Sequence, residues 1–527
     1  MPLNRHSFTL LVLLAAAGAA SAQSHEDYFE ADFHRHGIRE RTRSAPPPRP
    51  DETGSWKTLH VLMPINPVHM ALMHNGKVLV IAGSGSTRDP ANLHAAVYDP
   101  VAQNVSTISL EYDMFCNGMV ILPDGRPFVM GGTEKYSPPM WRGLPETSAF
   151  SPSSGTFTRT ATMTGGRWYP TGTLLSDGTV MVISGLTDSQ SAEQGTGLGK
   201  VFNEKVQIYD PRTDRWTEAC DTCDAFPKMK TLYPRQTLLP TGQVFVSGAE
   251  PRSWFFDPKT FKWHEGPKTN YGLPRNYGTS VLLPLTPANE FTPTVMILGG
   301  GPDKSIITNK TETINLALAQ PKWTEGPPML APRMDLNATI LPNGQVLVSG
   351  GSSIGEQDDK AVLQSEIYDP VAKTLTPAAS MEYPRLYHSN TLLLPDGTVL
   401  AAGSNPVFPE FEPHMEVYSP AYLFNSDGSP ATRPVITSVT GLAYGISFPI
   451  TTPDAASIAS VVLIRPGAPT HAFDMEQRMV GLEFTVDGGV LNAAAPKNGK
   501  LAPPGYYLLF IVNKAGVPSV ARFVLLK

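Results

Sequence analysis

Between residues 56 and 431, short apolar runs alternate with polar turn-forming stretches, and one pattern keeps returning. An apolar strand leads into an Asp-Gly or Asn-Gly turn, a second apolar strand follows, and a glycine closes it. It reads Asn75-Gly76 before Val78-Leu79-Val80, then Asp124-Gly125, then Asp177-Gly178 before Val180-Met181-Val182. It returns at Thr241-Gly242, Asn343-Gly344 and Asp396-Gly397, with a degenerate copy between, where residues 281–284 and 295–301 flank a longer loop. Asp-Gly and Asn-Gly suit two-residue hairpins in which both central residues take positive φ. Downstream of most hairpins comes Val97-Tyr98-Asp99-Pro100 or its like: Ile208-Tyr209-Asp210-Pro211, Phe255-Phe256-Asp257-Pro258, Ile367-Tyr368-Asp369-Pro370, Val417-Tyr418-Ser419-Pro420. This reads as a third strand ending in a turn, and Trp216 and Trp263 then fall in a fourth. Repeats spaced by about 50 to 65 residues are on the kelch scale. Four strands per repeat, seven times, predict an all-β fold, a seven-bladed kelch-type β-propeller over 56–431. The last repeat lacks a fourth strand, and residues 56–62 form a spare one, which is expected to complete that blade and close the ring. From 432 to 527 the repeat is gone. Short strands at 461–464, 506–512 and 520–526, separated by turns, predict a C-terminal immunoglobulin-like β-sandwich.

The ends and the composition narrow the setting. Arg5 and His6 precede an apolar run over 8–19, and Ala20-Ser21-Ala22 fits a small-residue cleavage site, so 1–22 is read as a signal peptide and 23–55 as a charged, Pro-rich linker. The expected location is therefore secreted, extracellular or periplasmic. No other stretch has the length of apolar sequence that a membrane helix needs. A net charge of −6 gives no pull toward nucleic acid. The chain is expected to act as a monomer. Export places its three cysteines in an oxidising compartment. Cys220 and Cys223 can pair with each other, which leaves Cys116 alone.

Propellers place sites on the loops that enter each blade's innermost strand, so equivalent positions can be compared by counting back from the hairpin glycine. Nine residues before Gly125, Gly178, Gly242, Gly344 and Gly397 stand Cys116, Tyr169, Tyr233, Asp335 and His388, with Tyr387 beside the last. Each alone has an ordinary reading as a packing residue. Together they aim a thiol, phenols, a carboxylate and an imidazole at one axial mouth. Imidazole and phenolate form an N,O ligand set that suits Cu(II). A second imidazole is available at His471, in the loop Thr470-His471-Ala472 after the strand at 461–464, if the sandwich packs on the propeller.

On these residues the sequence resembles the galactose oxidase and glyoxal oxidase family of copper radical oxidases. The matching segments are Asp113-Met114-Phe115-Cys116, Arg167-Trp168-Tyr169-Pro170, Arg385-Leu386-Tyr387-His388-Ser389, Gly403-Ser404-Asn405-Pro406, Thr470-His471 with Gln477-Arg478, and Pro503-Pro504-Gly505-Tyr506-Tyr507. The resemblance implies a thioether between Cys116 and Tyr169. It implies one copper ion held by Tyr169, His388 and His471 with Tyr387 as axial ligand. It also implies oxidation of a small primary alcohol or aldehyde by O2, with H2O2 released. The linked phenol stores the second oxidising equivalent, Tyr387 takes the hydroxyl proton, and the protein supplies geometry and tuning. One departure stands out: Thr187 occupies the position at which galactose oxidase stacks a tryptophan on the linked tyrosine. Trp141 and Phe202 are candidates to cover the ring from elsewhere. Tyr233 with Arg235, and Asp335 with Arg333, are candidate substrate contacts or plain ion pairs. Two rival readings compete with the oxidase: a non-catalytic kelch module binding glycan or protein, and a mononuclear metal hydrolase using His388 and His471.

Overall fold

The computed structural model describes residues 49–85, 91–135, 141–188, 201–220, 231–405 and 410–527. The expected signal peptide, most of the linker, Cys223 and the Cys220 side chain lie outside these residues. The described part of the linker carries a helical turn, Pro50–Thr53, instead of irregular chain. Proline at its start and two acids in its first turn favour that form.

Nearly everything else is β. The sheets are antiparallel and follow the chain in order, as in Thr171–Leu174, Val180–Ile183, Val206–Asp210 and Arg215–Cys220. The two inner strands are largely buried, and the second of them reads as a mostly apolar run, as in Val180–Ile183, while the first, as in Thr171–Leu174, mixes small and polar residues. The outer strands are mostly exposed, as at Asn104–Ser109. Trp216 and Trp263 lie in fourth strands, as read from the sequence. The spare N-terminal strand, Ser55–Leu62, pairs antiparallel with His414–Ser419, so the first and last parts of this region share one sheet.

The hairpins differ from the two-residue form. At Leu175-Ser176-Asp177-Gly178 only the glycine has positive φ, 85°. The Gly178 N–H donates to the Leu175 carbonyl at 3.1 Å and the Leu175 N–H to the Thr179 carbonyl at 2.8 Å. This is a type I turn closed by a left-handed glycine. Asp177 accepts the Thr179 N–H through its side chain at 3.0 Å, which holds the aspartate out of the left-handed region.

A buried ion pair recurs beneath the axial loops. Arg275–Glu312, Arg333–Glu366 and Arg385–Glu416 meet at 2.8, 2.7 and 2.7 Å, each side chain at most 1% exposed. The arginine comes from the loop before the first strand and the glutamate from the third strand, so the pair ties the axial loop to its sheet. Arg167 breaks the series. Its partner is the neutral Gln207 at 2.8 Å, and burial pushes its guanidinium down to about 9. Removing one partner of such a pair leaves a buried charge, so Glu366→Ala should cost about 3–5 kcal/mol in urea unfolding. Glu366→Gln, which copies the Arg167–Gln207 solution, should cost clearly less.

The C-terminal region packs two sheets face to face, Ser447–Thr451 with Val490–Ala494 on one side and Ile458–Ile464 with Gly505–Asn513 on the other. Ile450, Val461, Leu463, Leu491, Leu509 and Ile511 fill the space between. The loop after Ile458–Ile464 leaves this sandwich. Asp474 accepts the N–H groups of Ala468, Glu476 and Gln477 and shapes it. Gln477 then imitates a strand edge: its amide oxygen accepts from the Ile340 N–H at 2.6 Å and its NH2 donates to the Ala338 carbonyl at 2.9 Å. Arg478 donates to the Leu238 carbonyl, and Arg465 to that of Ile121. The Gln477-Arg478 motif is thus a clamp on the inner strands. Ahead of it, Pro469–Thr470 adds to the strand His69–Leu72, with Thr470 opposite His69.

Candidate metal centre

Backbone strain marks the axis. Cys116, Tyr169, Tyr233, Asp335 and His388 all have φ between 44° and 65°, and so do Tyr277 and His471. Left-handed non-glycine residues cost about 1–3 kcal/mol each and gather at functional sites. Successive positions are stitched together: the Tyr169 N–H donates to the Cys116 carbonyl at 2.9 Å, Tyr233 to Tyr169 at 3.0 Å, and Asp335 to Tyr277 at 2.7 Å. This turn of the backbone is what points each side chain inward.

The side chains converge. The Cys116 sulfur and ring nitrogens of His388 and His471 lie within 4.8 Å of one another. The Tyr169 and Tyr387 hydroxyls abut, and the His471 Nε2 is 3.1 Å from the Tyr169 oxygen and 3.9 Å from the Cys116 sulfur. The His388 and His471 rings stand edge to face, centroids 4.6 Å apart. Cys116, Tyr169 and His388 are each at most 5% exposed. Burial pushes the Cys116 thiol and the Tyr169 and Tyr387 phenols well above their usual ranges. Burial also lowers His388 to about 3, so its imidazole is neutral.

Neighbouring residues fix the tautomers. Asn405 donates its NH2 to the Glu410 carbonyl, which leaves its oxygen facing His388 Nδ1 at 2.9 Å. His388 Nδ1 therefore carries the proton, and Nε2, buried and without a hydrogen-bond partner, presents its lone pair to the centre. Thr470 donates its hydroxyl to the Val68 carbonyl and so accepts from His471 Nδ1 at 2.6 Å, turning that Nε2 inward as well. Outer partners of metal-bound histidines matter about 10- to 100-fold. Asn405→Ala should therefore weaken copper affinity by about that factor in chelator competition.

The family model for the glyoxal oxidase N-terminus matches residues 84–422, and the galactose oxidase-like early set domain matches 433–526. The chain belongs to the glyoxal oxidase and galactose oxidase family of copper radical oxidases. It is 29% identical over 545 residues to the aldehyde oxidase GLOX of Vitis pseudoreticulata, covering 90% of this chain and 97% of that one. It is 27% identical over 456 residues to galactose oxidase of Gibberella zeae, covering 81% and 63%. Among solved structures, a fungal alcohol oxidase of the AA5 family in complex with copper superposes with a TM-score of 0.76 at 26% identity, over 90% of this chain and all of that one. As a member of this family the chain offers a donor set that fits copper: two imidazoles whose Nε2 atoms face the centre and two phenol oxygens pressed together.

All five residues singled out for this centre therefore meet. Arg333 does not join them; it is the buried partner of Glu366. The ring against Tyr169 is neither Trp141 nor Phe202 but Trp168, edge-on at 4.1 Å, with Trp141 stacked on Trp168 at 5.0 Å. Tyr233 covers Tyr169 from another side at 4.6 Å. Thr187 is buried and spends its backbone on Gly143 and Val201. Two residues escaped the sequence reading. Tyr277 belongs to the degenerate repeat, where the long loop upsets counting from a glycine. Its signal was Arg275-Asn276-Tyr277, which copies Arg167-Trp168-Tyr169. His69 is fully buried with neither ring nitrogen hydrogen-bonded, its centroid 5.9 Å from His471. It sits in an inner strand, where only the pairing with Thr470 brings it to the centre.

Proposed function

We propose that the chain oxidises a primary alcohol or aldehyde with O2, giving the aldehyde or carboxylic acid and H2O2, through a Tyr169 radical whose ring is thioether-linked to Cys116. The observation that carries this reading is the meeting of Tyr169, Tyr387, His388 and His471 around one point with the Cys116 sulfur among them. These four residues would hold one copper ion, which supplies when bound a Lewis acid for the substrate oxygen and the acceptor of one of the two electrons. An aldehyde reacts as its hydrate, formed by addition of water, so that either substrate presents a hydroxyl; Tyr387, as phenolate, accepts the proton of that hydroxyl at its oxygen. The oxidised Tyr169 removes a hydrogen atom from the carbon that bears the oxygen and returns to its reduced form. Two protons and two electrons thus leave the substrate, and O2 takes up both to give H2O2. Trp168 and Tyr233 screen the Tyr169 ring from water.

The same reading takes the seven sheets of four or more strands found among the described residues between 55 and 419 as the blades of one closed ring, 56–431 as the propeller and 432–527 as the sandwich. It keeps 1–22 as an export signal and a monomer in the extracellular or periplasmic space. None of the described helices is long and apolar enough to cross a membrane. The test starts from copper-free protein. Adding Cu(II) and O2 should shift its mobility on a denaturing gel as the cross-link forms, and an oxygen electrode should then register uptake with a primary alcohol or aldehyde, matched by H2O2. A chain that hydrolyses a substrate without O2, or takes up none with any alcohol or aldehyde, sinks the reading.

A further inference from the structure

Four charged side chains from three sheets gather near the axial positions, two of them within electrostatic reach of Tyr387, and the chemistry above uses none of them. Lys304 comes from the loop after Thr294–Leu298, Glu356 from the loop after Val346–Ser349, Arg235 from the start of Arg235–Leu238, and Asp335 from the strained axial position. Lys304 and Glu356 pair at 2.8 Å, their side chains 9% and 13% exposed. The Gly355 N–H donates to the Lys304 carbonyl at 2.8 Å, which fastens the two loops together. Lys304 also stands over the Tyr277 ring at 5.8 Å, and Tyr277 in turn holds the Asp335 backbone. The group brings together two acidic and two basic side chains, and burial pushes both carboxyls up.

It is also unfinished. Asp335 is 5% exposed, yet its Oδ2 has no hydrogen-bond partner. Arg235 spends one nitrogen on the Gly278 carbonyl, while its buried Nε–H has none, and neither does Glu356 Oε1. The charges of Asp335 and Arg235 act on each other without forming an ion pair within the usual 4.0 Å. Asp335 and Glu356 also lie close enough for their charges to act on the Tyr387 phenol. A buried acceptor and a buried donor that are left open, with their charges acting on each other, suit a molecule that carries both a hydroxyl to give and an oxygen to receive. A site built to hydrogen-bond a substrate hydroxyl discriminates strongly against the analogue that lacks it.

We propose, resting on the oxidase reading, that Asp335 is the specificity-determining residue of this mouth: it accepts a hydrogen bond from a second, non-reacting hydroxyl of the substrate, so that small polyhydroxylated or hydrated-carbonyl compounds are taken ahead of monofunctional alcohols. Lys304 and Glu356 hold the wall in which Asp335 sits, and Arg235 donates to the oxygen that Asp335 engages.

Glycerol and 1-propanol test this, since they share a three-carbon chain and differ in hydroxyls. In copper-loaded Asp335→Ala, kcat/KM for glycerol should fall about 30-fold or more, mostly through KM, while that for 1-propanol changes less than about threefold. Saturation-transfer NMR on the copper-free protein should show glycerol contacts in the wild type that fade in the variant. If Asp335→Ala does not fold, Asp335→Asn, isosteric and uncharged, should give the same contrast at about tenfold. Equal losses for both alcohols, or no loss for either, overturn the proposal. A wild type that consumes no O2 with any alcohol or aldehyde removes the oxidase reading instead, and the NMR contrast then still decides whether Asp335 binds a hydroxyl.

Discussion

Cys116→Ser should abolish the gel-mobility shift and lower H2O2 release by about three orders of magnitude, a loss near 4 kcal/mol in the barrier. The argument is one of position. The sulfur is fully buried, in one packed cluster with Tyr169 and 3.9 Å from His471 Nε2. Its thiol is held protonated by burial, so as an isolated cysteine it has no nucleophilic role. On the proposed reading, a bond to the neighbouring ring would turn it into a substituent that makes the phenol easier to oxidise. Serine nearly matches its size and keeps the backbone hydrogen bond from Tyr169, so the fold and the imidazoles should survive. Copper should still bind, and the EPR signal of Cu(II) should persist without turnover. A kelch binding module predicts no change in its activity from this substitution. A metal hydrolase predicts the same, so this one variant separates the oxidase from both rivals.

Much of this was legible in the chain because the repeat converts distance along the sequence into position in space. Counting nine residues back from a hairpin glycine located Cys116, Tyr169 and His388, and the strain at these places explains why the count works: each first strand is entered through one left-handed residue. His471 was harder, since it arrives from the other fold. Its placement depends on Asp474 shaping the loop and on Gln477 pairing with the inner strand, contacts that no periodicity encodes. What the count could not see were neighbours related only by packing. His69 reaches the centre through its cross-strand partner Thr470, and Trp168 screens Tyr169 because it precedes it on a bent backbone. The hairpin type was misread for a similar reason: Asp-Gly fits both two- and three-residue loops, and the Asp177 contact with the Thr179 N–H decides between them.

His471→Ala should weaken copper binding more than any outer-partner substitution, by well over about 100-fold, because it removes a donor and not its orientation. Chelator competition followed by the optical bands of the bound ion measures this, and far-ultraviolet circular dichroism checks that the hairpin remains. The pH dependence then identifies which ligands carry protons. His388, lowered to about 3, competes with no proton above pH ~4. The phenols of Tyr169 and Tyr387 are pushed up by burial and are protonated in the copper-free protein at neutral pH. Holding copper as phenolates requires them to release those protons, so apparent affinity should rise with pH, by up to about tenfold per unit for each proton released. His471→Ala should lower the whole curve and keep the part of its slope that the phenols contribute, since both phenols stay. Tyr387→Phe should instead flatten the slope by one proton. A wild-type affinity that does not change between pH 6 and 9 would mean that neither phenol binds the metal, and the four-ligand centre would fall with it.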